Sequence, residues 1–240
     1  MSSADRAIVY IDGLNLYGSA LKQSSKKWVD LMAVASSLIP DGFELASVKY
    51  FSADLHPRAS EDASAGQRQR RYMKALVATG VEVHRGQFVL STRWRTLAPG
   101  ESWAERLRPP PSPAAVSELT ELEDSSPRPM KVRVQLPEEK FTDVAIGVEI
   151  VDDFHRKHCD VAVLITNDSD LRPAIAKVVE QGHLVHVVSP AATVSKHLRN
   201  AATTSEPMPA TCLGDHQLPD EFTDSNGSKH SRPNAWKVGK

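Results

Sequence analysis

The 240-residue chain has only two cysteines, Cys159 and Cys212, far apart in sequence. Two such residues do not make a disulfide framework, so the expected setting is a reducing one, the cytoplasm. Long apolar runs are also missing. No stretch approaches the roughly 20 residues of a membrane-spanning helix, so no membrane partner is expected. The first run, in MSSADRAIVYIDG, has about five residues, short of the roughly 7–15 of a secretory signal. There is no glycine-rich phosphate loop, which disfavours P-loop nucleotide hydrolysis, and no Ser-His-Asp arrangement can be argued. Excess charge is absent too: 29 Lys+Arg stand against 30 Asp+Glu, a net charge of −1. That balance argues against a polycation that coats nucleic acid, but it allows a local basic surface beside an acidic pocket.

What is present is a core. Hydrophobic residues make up 40% of the chain, which fits one domain with appendages. AIVYI (7–11), ASVKYFSA (46–53), VEVHRGQFVL (81–90), KVRVQ (131–135), CDVAVLIT (159–166) and HLVHVVS (183–189) read as strands. Helices are expected after Gly13 and over 64–79, 138–157, 171–181 and 192–202, with Gly80 and Gly182 as stops. Strands alternating with helices imply an α/β, Rossmann-type three-layer fold around a mostly parallel sheet. Residues 96–130, with PPPSP and LEDSSPRP, read as a long mobile loop inserted into a domain spanning 1–202. The polar tail, 203–240, is expected to be largely irregular.

In such sheets, ligands collect at the carboxyl ends of the strands. Asp12 directly follows AIVYI, and Asp168 and Asp170 follow VAVLIT. Asp143 stands near the start of a helix, at the head of a stripe continued by Ile146, Gly147 and Ile150. Carboxylates gathered at one edge repel unless a cation lies among them. Hard divalent ions take oxygen ligands, so Asp12, Asp143, Asp168 and Asp170 are candidate ligands for Mg²⁺ or Mn²⁺, used to activate water on a phosphodiester. Any one of these acids alone is more ordinarily a turn or cap residue, and Ser169 or Asp170 fits the N-cap of 171–181. A DxD pair also occurs in sugar-nucleotide transferases, a reading that leaves Asp12 and Asp143 unexplained.

The set D-G-x-N (Asp12, Gly13, Asn15), E-E-K-x-x-D-V (Glu138 to Val144) and T-N-D-S-D-L (Thr166 to Leu171) resembles the NYN domain family, the LabA-like branch of the PIN-like ribonuclease fold. The likeness runs from about residue 7 to 202, and QLPDE and RPNAW in the tail look like the closing pattern of some bacterial members. It implies a metal-dependent ribonuclease with the four acids as its cluster. Asn15, Lys140, Asn167 and Ser169 are then its supporting polar residues, with Lys140 on the scissile phosphate or orienting Asp143. Three positions depart from the pattern, of which Asn167, where many members have glycine, is a common alternative. Glu149 replaces an Asp and lies about 120° around the helix from Asp143, off the ligand position. Phe141 replaces a glycine, which would narrow the pocket mouth.

Arg68, Arg70, Arg71 and Lys74 form a basic run that is either a solvated helix face or a phosphate track, with Arg68 and Arg71 as substrate contacts. Arg93, Arg95, Arg106 and Arg108, with Trp94 and Trp103, have the basic and aromatic mixture that grips single-stranded RNA; an ordinary loop containing arginines explains them equally well. His155, His158 and Cys159, completed by Cys212 and His216, make a weaker zinc candidate. The expectation is a cytoplasmic RNA endonuclease. The rival is a catalytically weak adaptor of the same fold that binds RNA or protein.

Overall fold

A computed structural model describes residues 5–57, 60, 62–96 and 131–237. The insertion expected at 96–130, with Trp103, Arg106 and Arg108, lies outside the described residues apart from Thr96. Strand β1 (Asp5–Asp12) leads into a short helix α1 (Gly13–Leu16) and a π-helical turn (Tyr17–Leu21). Helix α2 (Leu31–Leu38), β2 (Phe43–Ala53), α3 (Ala65–Ala78) and β3 (Glu82–Thr96) follow. After the insertion come β4 (Lys131–Lys140), α4 (Thr142–His155), β5 (Val161–Ile165), a 3₁₀ turn (Ser169–Leu171), α5 (Arg172–Glu180), β6 (Leu184–Ser189), α6 (Lys196–Ala201) and β7 (Thr204–Pro207).

The sheet has seven strands in the order β4-β3-β2-β1-β5-β6-β7. β1 lies between β2 and β5, and both pairings are parallel, as are β2 with β3, β5 with β6 and β6 with β7. β5 is buried at every position, as its unbroken apolar run demands of a central parallel strand. Two apolar clusters cover the two faces. One joins Val9, Ile11, Val163 and Ile165 to α2 and α3. The other joins Ile8, Tyr10, Ala162 and Leu164 to Ile146, Ile150 and Phe154 of α4 and Ile175 and Val178 of α5. This is the three-layer α/β architecture of the PIN-like fold. Gly80 and Gly182 stop α3 and α5 at φ 94° and 85°, conformations that disfavour a side chain.

The contacts divide the chain into two units, Met1–Phe88 with Glu139–Lys240, and Val89–Glu138. In the second, the Arg93 guanidinium binds Glu138 at 2.7 Å and Arg95 lies 4.0 Å from it.

The tail is more regular than its composition suggested. Beyond β7 it forms α7 (Cys212–Asp215), an antiparallel hairpin of β8 (Glu221–Thr223) and β9 (Lys229–Ser231), and a 3₁₀ turn (Asn234–Trp236). A few apolar anchors suffice. Cys212 and Leu218 are buried. The Trp236 ring lies 6.4 Å from Trp28 and 6.0 Å from Tyr72, and the Trp28 indole donates to the Pro219 carbonyl at 2.8 Å. The tail thus closes the core over α2 and α3.

Candidate metal centre

β1 and β5 are adjacent and in register, so their carboxyl ends deliver Asp12 and Asp168 side by side. Asp12 caps α1: its Oδ1 accepts the Asn15 amide at 2.9 Å, while Oδ2 accepts the Thr166 hydroxyl at 3.0 Å. Thr166 in turn accepts the Asp168 amide at 3.0 Å, and Asp168 caps the 3₁₀ turn by accepting the Asp170 amide at 2.9 Å. Asp143 joins them from the first turn of α4, where the helix dipole favours a carboxylate. Carboxylate oxygens of Asp12, Asp143 and Asp168 lie within 4.8 Å of one another, the one such group among the described residues.

Gly13 is what allows the β1 turn to sit there. A Cβ at that position would come within 2.5 Å of the Tyr50 ring and 2.7 Å of the Phe51 carbonyl. Gly86 does the same for α4: a Cβ there would lie 2.7 Å from the Lys140 carbonyl and 2.8 Å from Thr142.

The electrostatics are those of acids short of positive charge. Burial, which outweighs the bonds from Asn15 and Thr166, pushes Asp12 up to about 6, and Asp143 and Asp168 add to the rise. Burial also raises Asp143, helped by Asp168 and Asp170. An all-oxygen donor set of three converging carboxylates, with Asp12 and Asp143 raised by burial and mutual repulsion, suits a hard divalent cation.

The other expected residues divide. Asn15 and Asn167 form a relay: the Asn15 side-chain Oδ1 accepts the Asn167 backbone amide at 2.9 Å, and the Asn167 Oδ1 accepts the Ser195 backbone amide at 2.7 Å. They lock the β1 and β5 loops to the start of α6. Asp170 stands outside the close trio. It lines a shallow recess with Ser169, Arg172, Pro173 and His197, yet is near enough to raise Asp143. Lys140 is exposed at the end of β4, three residues before Asp143. Phe141 adopts φ 81°, the left-handed region where a glycine would be at ease, and is 61% exposed at the head of α4. Arg68 is engaged with Asp62 and Ser64 on its own side of the loop, whereas Arg71 is exposed. Gln69 ties α3 to the sheet's carboxyl edge through the Ser52 hydroxyl and the Ala53 carbonyl, which puts that basic helix at the same edge as the acids.

Two residues of the site escaped the sequence reading as candidates. Thr166 is the buried hydroxyl between Asp12 and Asp168. Glu139 accepts the Ala53 amide at 3.0 Å through Oε1, and its Oε2 is buried. Burial raises its pKa, and the charges of Asp12 and Asp143 add to this.

The zinc candidate is not assembled. Cys159 and Cys212 belong to the apolar clusters on opposite faces of the sheet, and His158 bonds to Asp153 at 3.1 Å. Glu149 also has another role. With Asp153 it holds the buried Lys49 ammonium, at 2.6 and 2.7 Å, and Tyr10 donates to the same Asp153 oxygen at 2.6 Å.

An α/β sheet with acids converging at its carboxyl edge defines a class, and the comparisons agree with it. Residues 118–208 match the family described as the NYN domain, the family that the acidic motifs resemble. A curated relative from Pseudomonas putida, 6-hydroxy-3-succinoylpyridine 3-monooxygenase HspA, is 26% identical over 189 residues. The match takes in 72% of this chain but only 55% of the relative, so the chain spans about half that protein's length. A crystal structure of VPA0982 from Vibrio parahaemolyticus, a protein of unknown function, superposes with a TM-score of 0.51 at 14% identity, over 91% of this chain and 99% of that one, a likeness of fold alone.

Proposed function

We propose that this chain is a divalent-metal-dependent ribonuclease that cuts single-stranded RNA internally, as a cytoplasmic protein. The observation that carries the reading is the convergence of Asp12, Asp143 and Asp168 within 4.8 Å at the carboxyl edge of an NYN-type sheet. These three would hold Mg²⁺ or Mn²⁺, with Asp170 and Glu139 flanking them. When bound, the ion supplies a water of lowered pKa and charge neutralisation at the phosphate. The chain's own groups do the rest. Asn15 and Thr166 fix both oxygens of Asp12, so the carboxylate does not rotate away as substrate binds. The Asn15–Asn167–Ser195 relay keeps the two strand-end loops at fixed spacing. Exposed Arg70, Arg71 and Lys74 on α3 offer a track for RNA phosphates at the same edge, and Lys140 offers a cation three residues from Asp143.

The test is cleavage of a labelled single-stranded RNA with Mn²⁺, with EDTA, and with Asp12→Asn. Cleavage should require the metal and be lost in the variant; equal cleavage in EDTA would sink the reading. The name of the Pseudomonas relative supplies a rival, monooxygenation of 6-hydroxy-3-succinoylpyridine. Oxygen-dependent turnover of that compound, with no RNA cut, would favour it. RNA binding with neither activity would favour the adaptor.

A further inference from the structure

Helix α4 is apolar on two opposite sides. Ile146, Ile150 and Phe154 face the sheet and are buried. On the outer side a water-facing helix normally carries charged residues. Here that side carries Val144, Val148 and Val151, which are 67, 60 and 38% exposed, with Phe141 at its head at 61%. The spacing of 141, 144, 148 and 151 is 3-4-3, the seam of a heptad, which brings successive residues onto one line for packing against another helix. Valine is a poor helix former, so helix propensity does not explain three of them on an exposed face. Single exposed apolar residues need no explanation, but a continuous stripe does.

The charges at the two ends of α4 indicate what covers the stripe. Asp143 stands in the first turn, with Asp168 and Asp170 beyond it, and the exposed His155 and Lys157 stand at the other end beside Arg156, which is paired with Asp152 at 2.7 Å. Such a helix complements itself when reversed: the acidic start meets the basic finish, and the two helix dipoles also oppose. A parallel mate would set acids against acids.

We propose that two copies of this chain associate through an isologous two-fold interface in which the α4 helices pack antiparallel along Phe141, Val144, Val148 and Val151. The axis lies near Val148, so Val144 of each copy meets Val151 of the other. Lys157 of each copy comes towards the acidic end of its mate, which couples association to the metal-site edge. The interface concerns association alone and stands whether or not RNA is the substrate. A helix pair of this length, about 21 Å, covers less than the roughly 800 Å² per partner of a standard interface, so a micromolar dimer is expected.

The experiment is sedimentation velocity on the full chain from roughly 1 to roughly 300 μM, bracketing that affinity range. The expected mass moves from one copy of 26.3 kDa towards two with rising concentration. The double substitution Val144→Glu with Val148→Glu should remain monomeric with an unchanged circular dichroism spectrum, since both positions are exposed and Glu is the better helix former. In a second arm, Val148→Cys should form a disulfide-linked dimer on mild oxidation. Val77→Cys, equally exposed on α3, should not, and the two native cysteines are buried. A wild type that stays monomeric at every concentration overturns the proposal. So does a double variant that dimerises like wild type, a ladder of higher oligomers in place of a closed dimer, or equal cross-linking at Val77→Cys and Val148→Cys.

Discussion

The Thr166 hydroxyl donates to Asp12 Oδ2 at 3.0 Å while accepting the Asp168 amide at 3.0 Å. One side chain therefore sets the position of two carboxylates on neighbouring strands. Thr166→Val keeps the shape and removes both bonds. Loss of such a supporting partner typically lowers metal affinity or activity about 10–100-fold, and a buried net hydrogen bond is worth about 1 kcal/mol. Calorimetric titration with Mn²⁺ should show the affinity loss, with only a small fall in melting temperature in EDTA. A variant that binds Mn²⁺ as wild type does would mean Asp12 is held well enough without it.

The same pair makes a prediction about pH. Burial raises Asp12 from its ordinary 3.8 to about 6. The folded state then holds a proton that the unfolded chain has released, so metal-free stability falls as pH rises between about 4 and about 6. The full difference is on the order of 3 kcal/mol. Melts in EDTA should show wild type losing stability relative to Asp12→Asn as pH goes from about 4 to about 7, and Mn²⁺ should restore it at the upper end. Parallel pH curves for the two proteins would show that Asp12 titrates normally.

Lys49 is the buried cation on the α4 side of the sheet. Burial lowers its pKa, but the bonds to Asp153 and Glu149 outweigh this and raise it. Lys49→Met would leave Asp153, which is only 3% exposed, without its cation and with only Tyr10 and His158 as partners. Breaking a buried pair on one side costs about 3–5 kcal/mol. Denaturant unfolding should show a loss of that size. Metal binding by the remaining folded protein should be near wild type, because these groups lie outside the acidic trio; a loss of Mn²⁺ binding without a loss of stability would place Lys49 in the site instead.

What the sequence could show followed from its local geometry. Asp12 and Asp168 were legible because apolar runs ending in acids place those acids at one sheet edge, and Asp143 because the 3.6-residue stripe below it fixed its face. Asp170 read as an equal of Asp168, but Asp168 caps the turn that begins there, and two residues along a 3₁₀ turn do not point the same way. Glu139 was hidden because β4 runs five residues past the alternation in KVRVQ, so a residue expected in a helix lies in a strand. The Arg68–Asp62 pair and the folded tail depend on contacts that no short window contains. Trp28 and Trp236 are more than 200 residues apart in sequence, yet together they close one core.

Gly13 supports the trio sterically. Gly13→Ala would push a methyl group into Tyr50 and the Phe51 carbonyl, the latter a backbone atom that cannot turn aside. Overpacking of this kind costs about 1–3 kcal/mol. It should also displace Asp12, its chain neighbour, so Mn²⁺ affinity should fall beyond what the stability loss predicts. If affinity holds while stability drops, the α1 turn relaxes independently of Asp12.

Asp168→Asn separates catalysis from binding. The amide keeps the shape of the carboxylate but cannot balance a hard cation, so the loss in metal affinity should be at least the roughly 10–100-fold of a supporting residue. Stability in EDTA should hold or rise, because Asp143 is raised in part by the charge of Asp168 and that repulsion disappears. The control must be an acid outside the buried networks. Glu149 does not serve, because it holds Lys49; Glu180, 69% exposed with Lys177 at 3.9 Å, does. Glu180→Gln should cleave RNA as wild type does while Asp168→Asn fails. If all three cleave alike, the activity belongs to a contaminant or another site. If none cleaves and all bind RNA with equal affinity, the acids hold metal for structure and the chain is an adaptor.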